Sequence, residues 1–328
     1  MTETRPDATI SRRRTLARLA AGPLAPLLPA FEVAAAPLAY RLDPQKLDDG
    51  VWLVAGAQEA ITAKNGGAIA NIVILDTSAG AVIVDTGPSR RFGEQLAALA
   101  RELTGKDIAR VYVTHIHPDH VFGNQAFRPE ALATTERVVK GLEEMGGSYA
   151  DAMYRVAGDW MRGTELVLPR KILGSGVEDF GSRRIRHLAM RGHTASDLVL
   201  FDERSGFLIA GDLVFLDRAP TTPNANLEQW RIALANLGGI PHRRLVPGHG
   251  PAEDSGRGIE DTRRWLDTIE AQIRGAFEKG LDVTEAIALP LPPWTGRIAL
   301  ARYEYERSVM HLYPRLEAER LPSVGKPG

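Results

Sequence analysis

Thr114-His115-Ile116-His117-Pro118-Asp119-His120 is the stretch that decides how this 328-residue chain is read. It follows the apolar run Ile108-Ala109-Arg110-Val111-Tyr112-Val113, which has the length and β-branched content of a buried strand. The cluster therefore sits where a strand ends and a loop begins. Imidazole nitrogen and carboxylate oxygen are donors that zinc, iron or manganese accept. His115 and His117 are two apart and can converge on one ion. Asp119 and His120 lie beyond the strand end, where the turning loop can aim them at a second ion nearby. The competing reading is a polar loop whose histidines are satisfied by hydrogen bonds. Three histidines and an aspartate at this spacing favour the metal.

Three further candidate donors stand downstream, each expected where a strand gives way to a loop. His193 lies in Arg191-Gly192-His193-Thr194, after the strand-like run 184–190. Asp212 closes the apolar run Phe207-Leu208-Ile209-Ala210-Gly211, and His249 closes Leu245-Val246-Pro247-Gly248. Glycine beside each lets the backbone turn and approach a site closely. Five of the chain's eight histidines are used in this way. The other three read as ordinary: His187 as a strand residue, His242 as a loop residue after Pro241, His311 as part of a C-terminal helix.

The set Thr-His-x-His-x-Asp-His, Gly-His-Thr, Gly-Asp and Gly-His-Gly resembles the metallo-β-lactamase superfamily, and within it the glyoxalase II type of metal site. The resemblance implies that His115, His117 and His193 hold a first metal. It implies that Asp119, His120 and His249 hold a second, and that Asp212 bridges the two. It also places Asp85, in Asp85-Thr86-Gly87, behind a ligand histidine as its hydrogen-bond partner; a turn-forming aspartate before glycine is the alternative. Asn65-Gly66-Gly67, Asp85 to Arg91, Gly123 to Phe127, Gly158 to Thr164 and Asp212 to Pro223 are similar to the quinoprotein relay system zinc metallohydrolases. That is an exported group associated with quinone-dependent alcohol oxidation, so a functional link to a quinoprotein dehydrogenase is implied.

Composition bounds the rest. With 44% apolar and 25% charged residues the chain can build a large core. Its net charge of −1 gives no basic field for nucleic acid. It has no cysteine, which excludes disulfides, thiolate ligands and the β-lactamase subclass whose second metal needs a thiolate. Ser11-Arg12-Arg13-Arg14-Thr15-Leu16 carries the positive charge of an export signal, and the paired arginines resemble a twin-arginine signal. The apolar run from Leu16 to Phe31 is broken by Pro23, Pro26 and Pro29, which argues against a stable membrane span. Residues 1–35 are thus expected to be a signal cleaved near Ala35, and residues 36–328 the hydrolase domain. Residues 1–35 hold five arginines and three acids, so cleavage takes the net charge from −1 to about −3. The expected location is the periplasm.

Strands are expected at 51–54, at 68–75 and 81–85 around a turn at 76–80, and at 184–190, 197–202, 207–211 and 243–247. Ser89 is placed to cap a helix whose apolar face is Phe92, Leu96, Leu99 and Leu103. Further helices are expected over 134–163, 227–237, 258–280 and 299–313, with Trp160 and Met161 either facing substrate or in a core or lid role. Alternating strands and helices in two similar halves fit an α/β, four-layer αββα sandwich with all donors along one edge. The expected function is a dinuclear zinc hydrolase, with iron or manganese as other possible metals. Its substrate would be a small molecule with an ester, thioester, lactone or lactam bond, and Asp119 would both bind metal and orient the attacking hydroxide. A mononuclear iron sulfur dioxygenase and a non-catalytic metal-binding accessory protein of a quinoprotein are the alternatives.

Overall fold

The computed structural model describes residues 38–320, so the signal and its cleavage position lie outside the described residues. Period-two alternation builds its layers. In β3 (Ile72–Thr77) and β4 (Gly80–Val84), Val73, Leu75, Val82 and Val84 face one way and Ile72, Ile74, Ala81 and Ile83 the other. In β10 (Asp197–Asp202) and β11 (Phe207–Phe215) the same rule splits Leu198, Leu200, Phe207 and Ile209 from Val199, Phe201, Leu208 and Ala210. The first set of each pair meets in a core between two sheets, and the second set packs under helices. Strands buried on both faces, each face apolar, require four layers.

The first sheet has seven strands in sequence order: β1 (Pro44–Asp48), β2 (Val51–Val54), β3, β4, β5 (Ile108–Tyr112), β6 (Leu132–Thr134) and β7 (Lys171–Ile172). The second runs β12 (Arg244–His249), β11, β10, β9 (Arg184–Met190) and β8 (Gly176–Asp179). Helices α1 (Arg90–Thr104) and α3 (Glu136–Ala157) cover the first sheet. Helices α4 (Leu227–Gly238), α5 (Arg257–Glu278), α6 (Val283–Ala288) and α7 (Ala301–Arg320) cover the second. Ser89 caps α1 as expected, accepting from the Phe92 N–H at 3.3 Å. Phe92 and Leu96 are buried beneath that helix; Leu99 and Leu103 are partly buried.

Several expectations change or are settled. The hairpin strand begins at Ile72, because Ala68 to Asn71 turn instead toward the His249 loop, where the Asn71 N–H donates to the Gly248 carbonyl at 2.8 Å. The helix expected over 134–163 starts at Glu136, since Thr134 pairs in β6 and Thr135 caps the helix; it stops at Gly158, whose φ of 59° breaks it. Trp160 and Met161 follow in a single 3-10 turn and are packing residues. Met161 is fully buried, and Trp160 lies 4.3 Å from the Tyr40 ring and donates to the Ala63 carbonyl. Finally, the run ending at Asp212 is not the end of its strand, as described below. No helix among the described residues is long and apolar enough to cross a membrane.

Candidate metal centre

The donors come from the same end of both sheets. Beyond β5, Thr114 leaves the first sheet and its carbonyl accepts from Leu198 N–H of β10 at 2.8 Å, which pins the seam between sheets there. His115 and His117 follow. Asp119 and His120 do not lie in an open loop. Pro118 starts a one-turn helix, α2 (Pro118–Val121), that fixes both side chains. His193 sits in the turn between β9 and β10, closed by Asp197, which accepts from Thr194 N–H and from its hydroxyl at 2.8 Å. Burial pushes the Asp197 carboxyl up to about 7 against those two bonds.

Asp212 lies inside β11, which runs three residues further to Phe215. Gly211 has φ of 52°, the pairing with β12 slips there, and this bulge turns the carboxylate into the site. The glycine of Gly248-His249 has a second use: a Cβ at 248 would lie 1.9 Å from Asp212 Oδ1. Only glycine lets β12 pass that carboxylate.

Two donor groups result. His115, His117, His193 and Asp212 form one, and Asp119, His120 and His249 the other; all seven side chains are buried. In the first, His117 Nδ1 lies 3.1 Å from His115 Nε2 and 2.8 Å from His193 Nε2. Asp212 Oδ2 lies 3.7 Å from His115 Nε2 and 3.3 Å from His193 Nε2. The same carboxylate reaches the second group, with Oδ1 3.2 Å from His120 Nε2 and Oδ2 3.3 Å from His249 Nε2. Asp119 Oδ2 closes that group at 3.5 Å from His120 and 3.4 Å from His249. Ligands about 2.0–2.2 Å from a tetrahedral ion stand about 3.3–3.6 Å apart. The spacings that involve a carboxylate, 3.2–3.7 Å, lie near that edge length, the two His117 contacts are shorter, and His120 Nε2 and Asp212 Oδ1 are buried with no hydrogen-bond partner. Converging lone pairs and orphaned buried donors are what a pair of cations would satisfy.

The electrostatics agree. Burial, then the neighbouring His120, pushes His115 well below the ordinary imidazole range, so it offers a lone pair. Burial also pushes His193 well down, against the pull of Asp212. His120 goes the other way: burial lowers it, but Asp212, Asp119 and Asp85 together raise it well above that range. Asp212 is held well below the carboxylate range because His249, His120 and His115 outweigh its burial. The cluster draws positive charge to its centre.

Residues behind the donors set their tautomers. Asp85 Oδ2 lies 2.8 Å from His120 Nδ1 and also accepts from the Thr114 hydroxyl, which lies 2.9 Å from His115 Nδ1. Asp85 is thus a partner of a donor histidine rather than a simple turn residue. The Ile69 carbonyl lies 2.8 Å from His249 Nδ1. Asn224 Oδ1 lies 2.9 Å from His117 Nε2 and accepts from the Tyr149 hydroxyl at 3.1 Å. His193 is steadied by packing, edge-on to Trp230 at 5.0 Å. Thr114 was visible in the opening motif; Asn224, Tyr149 and Ile69 carry no sequence signal, because their roles exist only once distant segments meet. The remaining histidines are ordinary. His187 Nδ1 faces the Gly174 carbonyl, His242 Nδ1 the Ile240 carbonyl, and His311 lies on α7.

A model of the Metallo-beta-lactamase superfamily matches residues 65–249, more than half of the chain. The chain belongs to this superfamily. It is 25% identical over 200 residues to a metallo-beta-lactamase type 2 of Bacillus sp. (strain 170), covering 58% of this chain and 71% of that one. It is 26% identical over 254 residues to the probable metallo-hydrolase YqjP of Bacillus subtilis, covering 66% and 74%. A metallo-beta-lactamase from Pontibacter korlensis shares the fold with a TM-score of 0.57 at 21% identity, over 69% of this chain and 99% of that one. As a superfamily member with both donor groups assembled, the chain is a metal-dependent hydrolase. The superfamily match starts at Asn65 and stops at His249, the last donor; α5, α6 and α7 lie beyond it.

Proposed function

We propose that this chain is an exported, periplasmic dinuclear zinc hydrolase that cleaves a small ester, thioester, lactone or lactam. The observation that carries the dinuclear reading is Asp212, whose two oxygens reach both donor groups. His115, His117 and His193 would hold one ion and Asp119, His120 and His249 the other, with Asp212 shared. The nitrogen and oxygen donor set also suits iron or manganese. Bound zinc would supply a Lewis acid and a water acidified toward pH 7. Asp119 would both bind an ion and orient that water. Asp85, Thr114 and Asn224 hold the donor rings to their tautomers. The cavity above the donors, about 380 Å³, suits a small molecule. The export and the link to a quinoprotein dehydrogenase rest on the N-terminal arginines and the segment resemblances described at the outset.

Metal counting tests the reading. Wild-type protein is expected to carry two zinc ions per chain. His249→Ala should keep one, and Asp212→Ala should weaken both. A strong chelator should abolish hydrolysis, while thiol-alkylating reagents should leave it untouched because the chain has no cysteine. One tightly held iron with oxygen uptake would overturn the proposal in favour of a dioxygenase.

A further inference from the structure

We infer that Arg315 of α7 is a positioning residue for the first ion, acting through Asn224 on His117. This role rests on the two donor groups proposed above. The region matched by the superfamily ends at His249, so the hold that α7 exerts comes from outside it.

Between β11 and α4, residues 216–226 form no helix and no strand. Pro220 and Pro223 remove two backbone donors from this segment. A backbone bond lies within it, from the Ala225 N–H to the Thr222 carbonyl at 2.9 Å. Backbone groups left over must find partners elsewhere. α7 and the residues just before it supply them at successive levels. The Ala219 N–H donates to the Ala299 carbonyl at 2.9 Å, and the Ala299 N–H to the Asp217 carbonyl at 2.8 Å. Arg218 faces Glu304, both buried, with Nη2 3.9 Å from Oε1. The Ser308 hydroxyl donates to the Glu304 carbonyl at 2.6 Å, so it accepts from the Thr222 hydroxyl at 2.7 Å. About two turns on, Arg315 Nη2 donates to the Pro223 carbonyl at 2.6 Å and Nη1 to the Ala225 carbonyl at 3.2 Å. The same helix lines the cavity above the donors through Tyr303, Glu304 and Arg307.

The Arg315 fork is where this hold meets the donors. Pro223 and Ala225 stand on either side of Asn224. A guanidinium is planar, so two bonds to it fix both carbonyls in one frame. Between them, Asn224 Oδ1 lies 2.9 Å from His117 Nε2 and accepts from the Tyr149 hydroxyl at 3.1 Å. When His117 Nδ1 turns its lone pair to the donor group, Nε2 carries the hydrogen and gives it to Asn224. His117 Nδ1 is also the atom that meets His115 and His193. A shift of the 223–225 carbonyls therefore reaches the first donor group by way of one ring. Arg315 itself is exposed, so its substitution leaves the core under α7 in place.

Zinc competition with a chromogenic chelator tests this in His249→Ala, which is expected to keep the first ion alone. Adding Arg315→Met should weaken that ion about three- to fivefold, a part of the loss that follows removal of Asn224 itself. The urea midpoint of the metal-free protein should hardly move. Two comparisons separate positioning from a general loosening of α7. Arg302→Met removes an equivalent fork at the other end of the helix, where Nη1 and Nη2 donate to the Ile287 and Leu289 carbonyls at 2.8 and 3.0 Å, and should leave zinc affinity unchanged. Arg315→Met added to Asn224→Leu should bring no further loss, because residues acting in series are not additive. A zinc constant indifferent to Arg315→Met, an equal loss with Arg302→Met, or losses that multiply would overturn the role of Arg315 while the metal centre stands. If His249→Ala binds no zinc, the reading of two donor groups fails and the role of Arg315 falls with it.

Discussion

At the end of the sandwich remote from the donors, Arg183 and Asp202 are both buried and answer each other. Arg183 Nη1 meets the Asp202 carboxylate, Nε donates to the Asp76 carbonyl at 2.7 Å, and Nη2 donates to the Asp49 and Gly50 carbonyls. Asp202 also accepts from Ser205. This group closes on itself and ties three turns together. At the donor end, seven histidine and aspartate side chains are also buried, yet three of their atoms, His120 Nε2, His193 Nδ1 and Asp212 Oδ1, have no partner and several lone pairs face one another. Burial alone does not separate structural charge from functional charge. What separates them is whether the buried group is complete without a visitor.

Substitutions that break one end should therefore spare the other. The largest effect is expected at Asp212. Asp212→Ala should lower hydrolysis by on the order of 10³-fold, because both donor groups lose the oxygen they share. Its urea midpoint in metal-free buffer should change far less than its activity. Arg183→Met is the mirror image. It leaves Asp202 buried and unpaired, which costs about 3–5 kcal/mol in urea unfolding, and metal content should be unchanged at temperatures where the variant is folded. Asp85→Ala sharpens the comparison, since it removes a partner and not a donor. Metal affinity should fall about 10–100-fold by competition with a chromogenic chelator. Asn224→Leu should have the smallest effect, about tenfold on the first ion alone, and Asn224→Asp, which keeps the acceptor, should restore it. A loss at both ions would show that Asn224 shapes the loop and does not aim His117.

The sequence was most legible where local pattern and chemistry coincide. The strand-like runs 184–190 and 197–202 coincide with β9 and β10, and the spacing of four, three and four from Phe92 to Leu103 marks α1. The seven residues of the two donor groups were legible because four fall in the single stretch 114–120 and each of the other three follows a glycine. The shortest strands were not legible. β6, β7 and β8 have two to four residues each and exist only because a neighbour supplies the ladder. Asp212 was found but misplaced, since a bulge is a property of two strands and not of one. The cavity wall from α7 was invisible, because Arg218 and Glu304 are 86 positions apart and Glu304 belongs to no motif.

Each donor group draws on both sheets. His115 and His117 come from the first half of the chain, His193 and Asp212 from the second; Asp119 and His120 come from the first, His249 from the second. Neither half can assemble a site alone, so ion binding is thermodynamically linked to closure of the seam. An ion present at a thousand times its dissociation constant would add about 4 kcal/mol to the closed form and nothing to the open one. On that account bound cations would act as a clasp: hydrogen exchange in β5 and β11, which lie in different sheets, should slow together as zinc is titrated in.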